Sequence, residues 1–378
     1  MSFDVAYVNP RTGGRWSAAE PMWRAPDDGG YLNLEAGGGI SPAGIDQAAR
    51  SLWRYASAIR LPHAAKVTLG EGWTPLLQAS WGAGTVYLKA EHLMPSGSFK
   101  DRGTAVMINY LEQVGVGQML EDSSGNAGAS IATYAAAAGL ECRILIPASA
   151  PAGKRIQIAA MGAEVVPVEG TRDDVAAQAL QEAETAFYSS HNWQAFFLEG
   201  TKTLAFELWE QLGFRVPDAV VVPLGNGSNV LGCHIGFSEL KACGEIDRVP
   251  RIYGVQAANC APFHATLATG GEELVEIRPT PTLADGIASA KPIRVADTIR
   301  ALRESGGGTV AVSEPEIVEA FRRLARLGQF VEPTAAAGAA GLDRLLADGA
   351  IRQEERTVLV LTGTGLKATA AIGTMLGL

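Results

Sequence analysis

The sequence is short of the residues that several classes of function require. Its 378 residues include four cysteines, Cys142, Cys233, Cys243 and Cys260, and no two of them form a C-x-x-C pair. That spacing argues against a zinc ribbon or a dithiol redox motif and predicts reduced, buried structural thiols, the usual state in a cytosolic protein. Five histidines, His63, His92, His191, His234 and His264, are scattered without ligand spacing, so no metal site is expected. Basic residues are in deficit, 31 Lys and Arg against 40 Asp and Glu, for a net charge of −9. Such a balance offers no electrostatic footprint for nucleic acid or for an anionic membrane surface. Blocks of like charge, low-complexity tails and internal repeats are missing too. No apolar h-region opens MSFDVAYVNPRTGG, so a cytoplasmic location is expected rather than secretion.

One run, 219–238, has no Asp, Glu, Lys or Arg and is nearly as long as a membrane span. Pro223, Asn226, Asn229, His234 and four glycines within it are costly in lipid. It reads instead as a buried strand, a loop and a helix.

Glycine is plentiful, at 44 residues, and 47% of the chain is hydrophobic against 19% charged. This describes a soluble globular chain long enough for about two domains. Continuous β-branched runs predict strands over 85–90, 142–147, 164–168, 219–224, 251–256 and 357–362, each buried on both faces. Helices are predicted over 126–138, 152–161, 203–212, 316–327 and 333–346. The alternation predicts an α/β fold of parallel sheets flanked by helices, whose ligands bind beyond the carboxyl ends of the strands. Positions 1–60 show little periodicity before 45–59 and read as an extended segment packed on the main body.

The stretch EHLMPSGSFKDRG (91–103) places a lysine where a helix begins. Ser98 reads as an N-cap and Asp101 completes a capping box. Lys100 then sits in the first turn, where the macrodipole disfavours an ammonium by about 0.3–1 kcal/mol. A lysine that works uncharged, or covalently bound to a carbonyl, gains from that position.

Three glycine-rich loops follow predicted strands. EDSSGNAGAS (121–130) opens a helix and forms an anion cradle fit for a carboxylate, with Ser123, Ser124 and Asn126 supplying polar side chains. VVVPLGNGSNVLG (220–232) carries Gly225-Asn226-Gly227-Ser228-Asn229, whose successive N–H groups can wrap a phosphate. It is not a Walker A loop, and Gly232 comes too late for G-x-G-x-x-G. A phosphate monoester therefore fits better than the pyrophosphate of a nicotinamide dehydrogenase. LVLTGTGLK (359–367) ends a strand on the neutral hydroxyl of Thr362. An amine, a phosphate cup, a carboxylate cradle and a neutral hydroxyl together are what pyridoxal phosphate chemistry requires.

GSFKDRG, SSGNAGAS, GNGSN and TGTGLK, in that order, resemble the threonine synthase branch of the fold type II pyridoxal phosphate enzymes, in the tryptophan synthase β superfamily. LGEGWTPLL (69–77), LEGTKTLAFEL (198–208) and VEPTAAAGAAGL (331–342) strengthen the resemblance, which spans roughly residues 65–375. It implies two open, twisted, mostly parallel sheets with the cofactor between two domains. An N-terminal extension would occupy 1–60, a large cofactor-binding domain 61–105 and 205–378, and a smaller α/β domain 106–204.

By the same resemblance, Lys100 condenses with the cofactor's aldehyde and later acts as general base, and Phe99 lies beside the ring. Asn126 bonds the ring hydroxyl, and Gly225, Asn226, Gly227, Ser228 and Asn229 hold the cofactor phosphate. Thr362 meets the pyridine nitrogen and leaves it largely unprotonated, which suits elimination or replacement. Ser123, Ser124, Gly125, Asn126 and Ala127 hold the carboxylate of a small amino-acid substrate. A homodimer is implied, and no metal.

Three positions depart from the family pattern. Ala127 lacks a hydroxyl, Phe197 stands where an arginine precedes LEG, and Thr364 replaces a histidine. A phosphate needs charge-assisted donors, and a phenyl ring supplies none. Two activities stay open: threonine synthesis from O-phosphohomoserine, and β-elimination or β-replacement on a non-phosphorylated amino acid, as in threonine or serine dehydratases. The presence of Lys100 disfavours a non-catalytic sensor. Lys202 and Glu332, within the resembling motifs, read as surface ion-pairing residues, with substrate or ring contact as the alternative for either.

Overall fold

Short strands open the chain in this computed structural model, which describes residues 3–149 and 152–378. β1 (Ala6–Val8), β2 (Arg15–Ser17) and β3 (Asn33–Leu34) pair antiparallel in the order β2-β1-β3. Strands of two or three residues are too short to show a period, so the sequence read only an extended segment here. Positions 45–59 yield a short 3-10 helix, Leu52–Ala58, started by Ser51 Oγ accepting from the Trp53 N–H. The hairpin β4 (Leu76–Trp81) and β5 (Gly84–Lys89) follows, and then α1 (Lys100–Gln113).

From there the chain alternates: β6 (Gln118–Glu121), α2 (Asn126–Ala138), β7 (Glu141–Pro147), α3 (Ala152–Ala160), β8 (Glu164–Val168), α4 (Arg172–Glu182) and β9 (Phe187–Tyr188). Helices α5 (Ala195–Thr201) and α6 (Thr203–Gln211) lead to β10 (Ala219–Pro223), α7 (Ser228–Ala242), β11 (Arg251–Ala257), α8 (Pro262–Ala268) and α9 (Val295–Glu304). The last elements are β12 (Gly308–Val312), α10 (Glu314–Arg326), α11 (Pro333–Ala347), β13 (Thr357–Val360) and α12 (Thr369–Leu376). The uncharged run at 219–238 is thus β10, a loop and most of α7, as read from the sequence. No described helix is long and apolar enough to cross a membrane.

The chain divides into two units, one of Met1–Gly38, Ile45–Gly72 and Lys100–Thr201, the other of Gly39–Gly44, Trp73–Phe99 and Lys202–Leu378. The first holds a parallel four-stranded sheet in the order β8-β7-β6-β9. Its main core joins Ala105, Ile108 and Leu111 of α1 to Ile131 and Tyr134 of α2 and Phe196 and Phe197 of α5. Tyr110 and Phe196 stack with centroids 3.6 Å apart. Helices α1 and α5 can approach this closely because Gly103 faces the Phe197 ring and Gly200 faces the Arg102 carbonyl. A side chain at either glycine meets those atoms.

The second unit holds a six-stranded sheet, β12-β11-β10-β13-β5-β4, parallel except for β4. β10 is buried along its whole length, the mark of a central strand covered on both faces. The Ala-rich α11 lies on this sheet, with Gly338 against Pro223 and Leu359 and Gly341 against Val255. A buried ion pair, Lys89–Glu207, ties β5 to α6, and both side chains are 0% exposed. Lys89 Nζ also donates to Thr74 O (2.7 Å) and Gln211 Oε1 (2.8 Å), while Glu207 accepts from the N–H groups of Trp73 (2.7 Å) and Thr74 (2.9 Å). The Trp73 bond anchors a residue whose φ of 50° is unusual for a side chain of that size.

Two expectations fail here. Lys202 is no surface residue: it is 0% exposed and pairs with Glu239 at 3.0 Å. Cys243 is exposed, although Cys142, Cys233 and Cys260 are buried and all four are free thiols.

Candidate active site

In the first unit, α1 begins at Lys100 itself. The expected capping box is not formed. Ser98 Oγ is buried and has no hydrogen-bond partner among the described residues. Asp101 turns toward α2, where Ser130 Oγ donates to its carboxylate at 2.5 Å and lies 2.9 Å from Thr104 Oγ1. A buried carboxylate must be satisfied, and the serine of the neighbouring helix does so in place of the cap. Lys100 is half-buried, with its Nζ 5.5 Å from the centroid of the Phe197 ring.

β6 ends at Glu121 and α2 begins at Asn126. Between them Ser123, Ser124 and Gly125 are half-buried, and Ser123 Oγ accepts from the Gly125 N–H at 3.3 Å. Gly125 supplies no side-chain cap, so the first turn of this 13-residue helix offers its N–H groups to an anion. Ala127 is buried at 2% exposure. Phe197, at 0%, puts its ring 5.7 Å from that of His191.

Beside these lies a polar cluster that the sequence pattern did not disclose. Glu121 is fully buried, and its carboxylate meets the His191 backbone N–H (3.2 Å) and His191 Nδ1 (3.2 Å). Asp122 pairs with Arg172 at 2.7 Å and accepts from Ser190 Oγ at 3.4 Å. Burial pushes the Glu121 carboxyl up to about 7. Burial, and then the charge of Lys100, hold the His191 imidazole well below its usual range. An acid that ends an apolar strand just ahead of a glycine loop was the available signal for Glu121. His191 follows the two-residue strand β9, which left no readable pattern.

The second unit holds the phosphate-type loop. β10 runs into Gly225-Asn226-Gly227, and α7 starts at Ser228 without a side-chain cap. Gly227 has φ 95°, and a Cβ there runs into the Thr298 side chain; one at Gly225 lies 3.1 Å from Ile287 Cα. Asn226 accepts from Ser289 Oγ at 2.8 Å. Asn229 Oδ1, an acceptor, is buried without a partner among the described residues. Thr362, 2% exposed, follows β13 and donates to Glu332 Oε1 at 3.4 Å. Glu332 is thus buried against the 362–363 turn and is not the surface residue expected. Phe99 N–H donates to Thr362 O at 2.9 Å.

Gly227→Val tests the loop. The left-handed backbone costs a side chain about 1–2 kcal/mol, and the Thr298 collision adds to it. Cofactor binding, followed by absorbance titration, is expected to weaken by at least ~10-fold, since 1.4 kcal/mol is tenfold in affinity.

Each unit offers groups that fit one part of a phosphorylated aldehyde. In the second unit the backbone N–H groups of the glycine loop and of the uncapped α7 start suit a phosphate; in the first, the Lys100 amine suits a carbonyl.

Comparison with known proteins agrees. A family model described as pyridoxal-phosphate dependent enzyme matches residues 67–363. The threonine synthase of Methanocaldococcus jannaschii is 38% identical over 325 residues, covering 84% of this chain and 80% of that one. The threonine synthase of Mycobacterium tuberculosis H37Rv is 37% identical over 311 residues, covering 80% and 83%. Among solved structures, a threonine deaminase from T.th. superposes with a TM-score of 0.66 at 29% identity, covering 77% of this chain and 92% of that one. The chain therefore belongs to the pyridoxal-phosphate-dependent enzymes of fold type II, as a lyase of the threonine synthase family.

Proposed function

We propose that this protein eliminates or replaces a β or γ substituent of a small amino acid. The observation that carries the reading is the half-buried Lys100 amine at the first residue of α1, in the same unit as the uncapped start of α2. Pyridoxal phosphate, when bound, supplies an electron sink for bonds broken at the substrate's α-carbon.

The chain supplies the rest. Lys100 Nζ removes the α-proton as general base. Ser123, Ser124, Gly125, Asn126 and Ala127 hold the α-carboxylate at the helix start, and Asn126 also takes the ring hydroxyl. Gly225, Asn226, Gly227, Ser228 and Asn229 hold the cofactor phosphate. Phe99 would lie beside the ring, and the Thr362 hydroxyl would turn from Glu332 to meet the ring nitrogen. The first unit carries Lys100 and 123–127, and the second carries 225–229 and Thr362, in a cytoplasmic homodimer.

Threonine formation from O-phosphohomoserine is the nearest named activity, given the relatives. A second reading is favoured by Phe197 and Ala127, both buried and both without a donor for a substrate phosphate. It is β-elimination or β-replacement on a non-phosphorylated amino acid. Assaying phosphate release from O-phosphohomoserine beside 2-oxo acid formation from L-serine and L-threonine separates them. Turnover of none of the three overturns the proposed reaction class.

A further inference from the structure

We propose that Glu121 and His191 form the general acid of this site, delivering a proton to the departing oxygen of a β-hydroxy amino acid. The inference rests on the reading of Lys100 as the base and names the substrate class for that same site. Three observations carry it.

The first is position. Glu121 ends β6, and His191 stands three residues beyond the end of β9, the strand paired with β6. Both therefore lie at the carboxyl edge of one sheet, where ligands of parallel sheets are bound. The loop 122–125 leaves from the same edge, and the α1 start that carries Lys100 belongs to the same unit. The second is geometry. Glu121 holds His191 at both its backbone N–H and its Nδ1, each at 3.2 Å, while His191 Nε2 makes no hydrogen bond among the described residues. The ring is thus held at one nitrogen, and the other has no hydrogen-bond partner among the described residues. The third is the leaving-group logic of the surroundings. The Phe197 ring centroid lies 5.7 Å from that of His191 and 5.5 Å from Lys100 Nζ. A buried acid and a phenyl ring are poor company for a phosphate dianion, which leaves without help. Hydroxide is a poor leaving group, and it needs the proton.

The charged and titratable groups around the pair are Lys100 on α1, Asp122 after β6, Cys142 on β7, Arg172 on α4 and Tyr188 on β9. Burial lifts the Glu121 carboxyl to about 7, so the pair still holds a proton near neutrality and loses it as pH rises further.

The step balances. The Cα–H bond breaks, its proton goes to Lys100 Nζ, and its electron pair forms the Cα–Cβ π bond. The Cβ–O bond breaks, its pair leaves with oxygen, and the proton from Glu121–His191 completes a water molecule. The released enamine takes up water to give a 2-oxo acid and ammonia.

The test compares L-serine with β-chloroalanine, whose chloride leaves without a proton. In holoenzyme carrying Glu121→Gln, or His191→Asn as a second variant, the serine-to-chloroalanine rate ratio is expected to fall by about 10²–10⁴-fold. The wild-type ratio is expected to decline above pH 7 and the Glu121→Gln ratio to be flat. An infrared difference spectrum, wild type minus Glu121→Gln, is expected to show a protonated carboxyl band at pH 6 that is gone at pH 8.5. A ratio unchanged in folded variants overturns the inference. So does a wild type that releases phosphate from O-phosphohomoserine yet forms no 2-oxo acid from serine or threonine. The underlying reading fails separately, if the cofactor is bonded to a lysine other than Lys100.

Discussion

Replacing Lys100 by alanine is expected to abolish the visible absorbance of the bound cofactor and to lower turnover by at least ~10³-fold. A positioned general base is worth about 10²–10⁴ in rate, and the covalent role proposed for the same amine adds to that. Two other buried lysines are already committed elsewhere and cannot take over. Lys100 is the first residue of α1, and the macrodipole there disfavours a fixed cation. Lys89 and Lys202 are each locked at 0% exposure in a carboxylate pair of their own. Lys100→Arg separates charge from chemistry: it restores the cation but neither bonds a carbonyl nor serves as a base near neutrality. Both variants are therefore expected to be equally inactive, with unfolding midpoints near that of the cofactor-free wild type. Turnover retained by the arginine variant contradicts the assignment.

The largest expected loss of stability is at Lys89, remote from the proposed chemistry. Lys89→Met leaves Glu207 buried with its cation removed, and breaking a buried pair by deleting one partner costs about 3–5 kcal/mol. The backbone N–H groups of Trp73 and Thr74 still bond Glu207, which places the loss toward the lower end. Exchanging both members, Lys89→Met with Glu207→Leu, removes the stranded charge. It is expected to recover part of that loss while leaving the Trp73 and Thr74 N–H groups without acceptors. Urea unfolding of the holoenzyme measures both. If the single variant loses under about 1 kcal/mol, far below that range, Glu207 is being neutralised by other means and the account of this pair is wrong.

Much of the fold was legible because central strands of a parallel sheet are read from continuous apolar runs. α2 matches its predicted bounds, and β10, β11 and β13 match to within a residue or two. β8 also falls at its predicted bounds but is a partly exposed edge strand, not one buried on both faces as expected, because no described strand covers its outer side. The strands that escaped notice lack that signature. β4 is an antiparallel edge with most of its side chains partly exposed, and β9 has two residues. The motif loops could be read because glycine at 225 and 227 and an uncapped helix start are local chemistry. What could not be read was long-range pairing. Asp101 was assigned to a cap because the partner that claims it, Ser130, is 29 positions away. Glu332 was assigned to the surface because Thr362, 30 positions on, could not be placed beside it. Glu121 and His191 meet across 70 positions, so neither suggested the other.

The most direct measurement is borohydride reduction of the cofactor-loaded protein followed by proteolysis and mass mapping of the modified peptide. The account predicts a single reduced phosphopyridoxyl adduct, carried on the lysine of GSFKDRG. An adduct on Lys89, Lys202 or Lys367, or none at all on a protein that has taken up the cofactor, contradicts it.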